Sequence, residues 1–94
     1  MISIVIPTFN EIRNISVIIN QLLILDFSSD IEIIIVDDNS SDGTADKVRQ
    51  LVHNDKRIRL INRVGRSGLS SAIKEGCLCA SGELVVVMDA DGQH

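Results

Sequence analysis

A chain of 94 residues is one small domain or part of a larger one, which excludes a complete two-domain enzyme. With 45% hydrophobic residues, 23% charged residues and one proline, it carries enough apolar side chain for a packed core and is neither disordered nor fibrous. The formal net charge of -4 gives no broad attraction for a nucleic-acid backbone, so any phosphate ligand needs a local basic group, a helix N-terminus or a bound cation.

Aromatic residues make up only 2% of the chain, so the core is aliphatic, and its many Ile and Val residues favour strands covered on both faces. The first such run is 3–6, which Pro7 is expected to end by removing a backbone donor. Asn10 stands where it can cap a helix beginning near Glu11. Ile12, Ile15, Ile19, Leu22 and Leu23 then step by three and four, as one face of a helix does. A second strand over 31–36 leads into Asp37-Asp38-Asn39-Ser40-Ser41-Asp42-Gly43, where Ser41, Asp42 or Thr44 is placed to cap the helix marked by Ala45, Val48, Leu51 and Val52. The third strand, 58–61, is followed by Asn62-Arg63-Val64-Gly65-Arg66-Ser67-Gly68 and a helix carrying Leu69, Ala72, Ile73, Gly76, Cys77 and Ala80. The last strand, 84–88, opens into Asp89-Ala90-Asp91-Gly92-Gln93-His94.

The order β-α-β-α-β-α-β argues for an α/β fold with a parallel sheet, right-handed crossovers and ligands beyond the carboxyl ends of the strands. Neither an internal repeat nor a linker interrupts it, so residues 1–94 read as a single domain. The first residues lack a basic region and a long apolar stretch, and no apolar run reaches the roughly 18 residues of a membrane span, which points to a cytoplasmic protein. Cys77 and Cys79 diverge by about 200° on a helix and read as small thiols in a reducing compartment rather than a clamp or a disulfide. His53 reads as a surface residue at a helix end.

The chemistry sits after the strands. Asp89 and Asp91 are two apart behind an extended run, so both carboxylates can face one side while Ala90 faces away. Such a pair repels itself unless a cation lies between, and a hard ion such as Mg²⁺ or Mn²⁺ suits it, with the Gln93 carbonyl in reach. An exposed acidic turn is the other reading of an isolated D-x-D. Asp37 and Asp38 offer carboxylates to nucleobase N–H groups or ribose hydroxyls, with a plain polar turn as the alternative. Arg63 and Arg66, with Gly65 and Gly68, form a basic turn able to meet an anion at a helix N-terminus, or a simple turn capped by Ser67. Neither G-x-G-x-x-G nor a G-K-[ST] phosphate loop occurs, which disfavours a dinucleotide-binding dehydrogenase and a P-loop NTPase.

Four stretches taken together, Ile4-Val5-Ile6-Pro7-Thr8-Phe9-Asn10-Glu11, Ile34-Ile35-Val36-Asp37-Asp38-Asn39-Ser40-Ser41-Asp42-Gly43-Thr44, Arg66-Ser67-Gly68-Leu69-Ser70-Ser71-Ala72 and Val87-Met88-Asp89-Ala90-Asp91-Gly92-Gln93-His94, resemble the family-2 glycosyltransferases of GT-A fold. Within that family they are similar to the dolichyl- or polyprenyl-phosphate mannosyl- and glucosyltransferase branch. The resemblance implies that Pro7, Thr8, Phe9, Asn10 and Glu11 line the base and ribose pocket with Asp38, and that Asp37, Arg66 and Ala90 also border the donor. It further implies that Asp89, Asp91 and Gln93 bind Mg²⁺ or Mn²⁺, with Asp91 as the catalytic carboxylate.

The implied substrate is a nucleotide-diphosphate sugar of the GDP-mannose or UDP-glucose type, and the implied acceptor is a lipid phosphate at the cytoplasmic face of a membrane. Since family members continue past this D-x-D, the chain is expected to be the donor half. Its last strand is then open to self-association or to a partner completing the sheet. Two rival readings are a phosphoacceptor receiver domain, in which Asp37 and Asp38 form the acidic pair and Asp89 follows a later strand, and an inactive fragment that folds only with a partner.

Overall fold

The computed structural model describes residues 1–25 and 30–90. Seven elements follow one another: β1 (Ile2–Thr8), α1 (Ile12–Ile24), β2 (Ile31–Asp37), α2 (Thr44–Asn54), β3 (Ile58–Asn62), α3 (Leu69–Cys79) and β4 (Leu84–Val87). All strand pairings are parallel, in the order β3-β2-β1-β4. This is the expected α/β architecture.

Alternation along the strands sorts the core into two layers. Ile4, Ile6, Ile31, Ile33 and Ile35 face α1 and α2, where they meet Ile15, Ile18, Ile19, Leu22 and Val48. Val5, Ile34 and Val36 face α3 through Ala72. Each such aliphatic side chain taken out of water contributes about 1.5–3 kcal/mol. β2 is buried at all seven positions because both its edges and both its faces are covered. Gly76 lets α3 approach closely: a Cβ there would lie 2.4 Å from Val5 Cγ1.

Three expectations need correction. β1 does not end at Pro7 but runs on to Thr8. Val5 O accepts from Met88 N on the β4 side and Thr8 O from Asp38 N on the β2 side, so by alternation the missing Pro7 donor faces β4, whose pairing has stopped at Val5. β4 is not covered on both faces: all four of its residues are exposed, because it lies at the sheet edge and no described helix follows it. The receiver reading fails on topology. A receiver places its third strand beside the first, in the order 2-1-3-4-5, whereas here β4 takes that position.

The order 3-2-1-4 reverses direction between β1 and β4, and the crevice beyond the carboxyl ends at such a reversal is where open α/β sheets place ligands.

Candidate active site

That crevice exists. A cleft of about 280 Å³ lies at the ends of β1 and β4, lined by Pro7, Thr8, Phe9 and Glu11 after β1, by Asp38 after β2, by Leu69 and Ala72 of α3, and by Asp89 and Ala90 after β4. An adjoining groove is bordered by Phe9, Asp38, Asn39, Gly65, Arg66 and Ser67. Phe9 and Asp38 belong to both, and the Phe9 ring, 60% exposed, stands between them as an apolar surface.

The loops after β1 and β2 are clasped together. Asn10, at φ 55°, accepts from Ser41 N with its Oδ1 at 2.9 Å and donates its own amide to Ser40 Oγ at 2.8 Å. It therefore does not cap α1. The amides at the start of that helix are met instead from the next βα connection, the cap residue's Glu11 N by Thr44 Oγ1 of α2 at 3.0 Å and Ile12 N by Asp42 Oδ2 at 3.1 Å. Asp42 Oδ1 also accepts from Thr44 N at 3.0 Å, so one carboxylate serves the starts of both helices. Desolvation by the surrounding loop pushes the Asp42 carboxyl up, but hydrogen bonds from the Thr44 hydroxyl and the Ile12 and Thr44 amides outweigh it and hold it below the usual value.

The two adjacent aspartates have separate tasks. Asp37 is fully buried and accepts from Thr8 Oγ1 at 2.6 Å, Ser40 N at 2.9 Å and Ser40 Oγ at 2.6 Å. It shapes the loop and does not line the cleft. Asp38, next in the chain, turns toward the cleft and receives Gly68 N on Oδ2 at 3.1 Å, at the start of α3. Its Oδ1 lies 3.0 Å from Arg63 Nε.

Arg63 is not the open anion-binding group that its loop suggested. Its side chain is 1% exposed, pairs with Asp38 and with Glu75 Oε2 at 3.3 Å, and donates from Nη2 to Ser71 Oγ at 2.7 Å. Arg66 Nη2 reaches the other Glu75 oxygen at 3.0 Å while remaining half exposed along the adjoining groove. Ser67 does not cap α3; its carbonyl accepts from Ser71 Oγ, and Gly68, at φ 115°, occupies the cap position. Sequence reasoning missed Glu75 and Ser71, whose only signal is a one-turn spacing on α3 that directs both toward the β3 loop. It also missed that Leu69 and Ala72 wall the cleft.

Of the expected site residues, Pro7, Thr8, Phe9, Glu11, Asp38, Asp89 and Ala90 therefore converge on one cleft, Arg66 borders its neighbour, and Asn10 and Asp37 brace the loops. Asp91 and Gln93 lie outside the described residues. Glu11, Asp38 and Asp89 are among the residues lining the cleft and none of the described lining residues is basic, so the lining offers a phosphate no positive charge of its own. Among the described residues no cluster of three metal-ligating side chains forms by itself. No described helix is long and apolar enough to cross a membrane.

Known proteins share both sequence and fold. The dolichol-phosphate mannosyltransferase of Saccharomyces cerevisiae is 38% identical over 95 residues, covering 98% of this chain and 36% of the relative. That of Pyrococcus furiosus is 39% identical over 93 residues, covering 99% and 26%. A mannosyltransferase from Pyrobaculum calidifontis, solved in complex with GDP-Man and Mn²⁺, superposes with a TM-score of 0.88 at 30% identity, over 96% of this chain and 27% of that one. Staphylococcus aureus TarS in complex with UDP-GlcNAc gives 0.85 at 28% identity, over 96% and 26%. The chain thus spans about a quarter to a third of the length of these proteins. With GT-A glycosyltransferases as structural neighbours and the model described as glycosyl transferase family 2 matching residues 3–94, the chain belongs to glycosyl transferase family 2.

Proposed function

We propose that the chain forms the donor-nucleotide part of a glycosyltransferase that moves a hexose from a GDP-mannose- or UDP-glucose-type donor to a lipid phosphate such as dolichyl phosphate at a membrane surface. The observation that carries this reading is the cleft at the β1–β4 reversal, where Asp38 and Asp89 approach from two strands beside an exposed Phe9. The names of the relatives, and the GDP-Man and Mn²⁺ held by a neighbour of the same fold, support it.

Pro7, Phe9 and Glu11 then border the base and ribose, and Asp38 accepts hydrogen bonds from nucleobase N–H groups or ribose hydroxyls. Thr8 contributes wall rather than a hydroxyl, since that hydroxyl is committed to Asp37. Asp89, with Asp91 and Gln93, would hold Mg²⁺ or Mn²⁺. A divalent ion there supplies positive charge against the departing nucleoside diphosphate, which an acidic protein without a P-loop lacks. A lipid-phosphate oxygen is already anionic, so the chain needs no strong base to activate it.

Calorimetry tests the reading. GDP-mannose and UDP-glucose are titrated into the full chain with Mn²⁺ and again after chelation. Binding of one donor that weakens on chelation, and loses its metal-dependent part in Asp89→Asn and Asp91→Ala, is the expected result. A folded sample that binds neither nucleotide sugar overturns it.

A further inference from the structure

We infer that Arg63 is a positioning residue for nucleoside recognition: held by Glu75 and Ser71, it fixes the Asp38 carboxylate toward the cleft. The inference rests on the reading of Asp38 as a nucleoside ligand. Four side chains alternate in charge, Asp38, Arg63, Glu75 and Arg66, with separations of 3.0, 3.3 and 3.0 Å between successive members. They run from the cleft through a fully buried guanidinium to the adjoining groove.

The geometry is poor as a stability device. Among the described residues Arg63 Nη1 is buried without a hydrogen-bond partner, and the Nε contacts with Asp38 Oδ1 and Glu75 Oε2 are not aligned as hydrogen bonds. Burying a charge with incomplete pairing costs free energy that a packed aliphatic residue of similar size would not. What the arrangement secures is placement. Gly68 N donates to Asp38 Oδ2 and Arg63 lies against the buried Oδ1, so the carboxylate is held from two directions and Oδ2 is the oxygen left to serve the cleft. Arg63 is itself held by one aligned hydrogen bond, Nη2 to Ser71 Oγ, and by the charge contact of Nε with Glu75. A lysine supplies the charge but not the fork.

A double-mutant cycle on the full chain tests this. Dissociation constants for GDP and UDP in the presence of Mn²⁺ are measured for Arg63→Met, Arg63→Lys, Glu75→Gln and Asp38→Asn, and for Arg63→Met combined with Asp38→Asn. Urea midpoints give the folded fraction. Arg63→Met is expected to weaken the better-bound nucleotide about tenfold, within the range found for coupled neighbours, and Arg63→Lys to restore part of the loss. In the Asp38→Asn background the same substitution should add less than about twofold, because its route to the ligand is already broken.

An unchanged affinity in folded Arg63→Met, or full additivity with Asp38→Asn, overturns the positioning role while leaving Asp38 as a ligand. An Asp38→Asn variant with unchanged affinity overturns the reading of Asp38, and the inference with it. If Arg63→Met does not fold, Glu75→Gln takes its place in the cycle. Its carboxylate is partly exposed, and its loss should weaken binding about threefold only while Asp38 is present.

Discussion

Thr8 and Asp37 are register partners at the carboxyl ends of β1 and β2, and the Thr8 hydroxyl donates to Asp37 Oδ1 at 2.6 Å. Ser40 adds two further hydrogen bonds to that carboxylate, from its amide and its hydroxyl. The first aspartate of the pair is thus consumed in folding the loop that presents the second. Asp37→Ala removes a buried acceptor of three hydrogen bonds, and we expect a loss of about 2–4 kcal/mol in urea unfolding, with any loss of nucleotide affinity following the folded fraction. Asp38→Asn is expected to weaken the nucleotide beyond any change in folded fraction and, because it takes a charge partner from the buried Arg63, to cost about 1–3 kcal/mol of stability as well.

Gly76 sits in α3, where alanine is intrinsically better by about 1 kcal/mol. Space decides against it. The added Cβ would meet Val5 Cγ1 at 2.4 Å and Val36 Cγ2 at 3.0 Å, and both valines are fully buried in central strands with nowhere to move. Overpacking of this kind costs about 1–3 kcal/mol and outweighs the helix gain. Gly76→Ala should therefore lower the melting temperature by about 5–10 °C, the scale for a domain of this size. An unchanged or raised value means that α3 lies farther from the sheet.

Element order and strand positions were legible because each rests on a local pattern: β-branched runs for strands and three-and-four spacing for helices. Of the cleft lining, the acidic residues Asp38 and Asp89 stood out just beyond their strands, Pro7, Phe9, Glu11 and Ala90 came only from the family resemblance, and Leu69 and Ala72 gave no signal. The capping assignments at Asn10 and Ser67 were not legible: Asn10 loses to partners distant in sequence, and Ser67 to the neighbouring Gly68, whose positive φ sets the start of α3. Asp42 and Thr44 reach the start of α1 from some thirty residues away. The same holds for charge. Arg63 reads as a surface base until β3 and α3 pack around it, and nothing within its own loop identifies Glu75 as its counter-ion. The two aspartates at the end of β2 are alike in sequence, and which of them turns inward is decided by the register partnership of Asp37 with Thr8.

β4 pairs with β1 along one edge, and Leu84, Val85, Val86 and Val87 are 56, 37, 38 and 43% exposed. A short apolar strand with both faces open at a sheet edge is a template for another strand or for a covering segment. Light scattering on the full chain should show association that grows with concentration. Val86→Lys should suppress it at little cost to stability, since so much of that side chain already faces water. A wild-type chain that stays monomeric throughout would refute this role for the edge.

At the opposite end of the sheet, Glu32 ties four segments together. Its Oε2 accepts from the Ser3 hydroxyl at 2.5 Å and the Ser81 amide at 2.6 Å, its Oε1 accepts from Arg59 Nη1 at 3.0 Å, and Ser3 Oγ accepts from Gly82 N at 2.8 Å. Burial works to raise the Glu32 carboxyl, but these hydrogen bonds and the Arg59 charge prevail and hold it below the ordinary 4.5. A group whose folded value is depressed stabilises the protein above its unfolded value and loses that contribution as pH falls through the folded one. Unfolding measured from pH 7 downward should therefore show stability constant with respect to Glu32 until about 4.5, then declining. Asp55, held low by hydrogen bonds from Arg57, and Asp42 add to the same acid limb. Glu32→Gln should cost about 1–3 kcal/mol at pH 7, and its difference from wild type should shrink as the solution is acidified, leaving a shallower limb from the two aspartates. A difference that stays constant from pH 7 to pH 3 would show that the Glu32 contribution is shape and not charge.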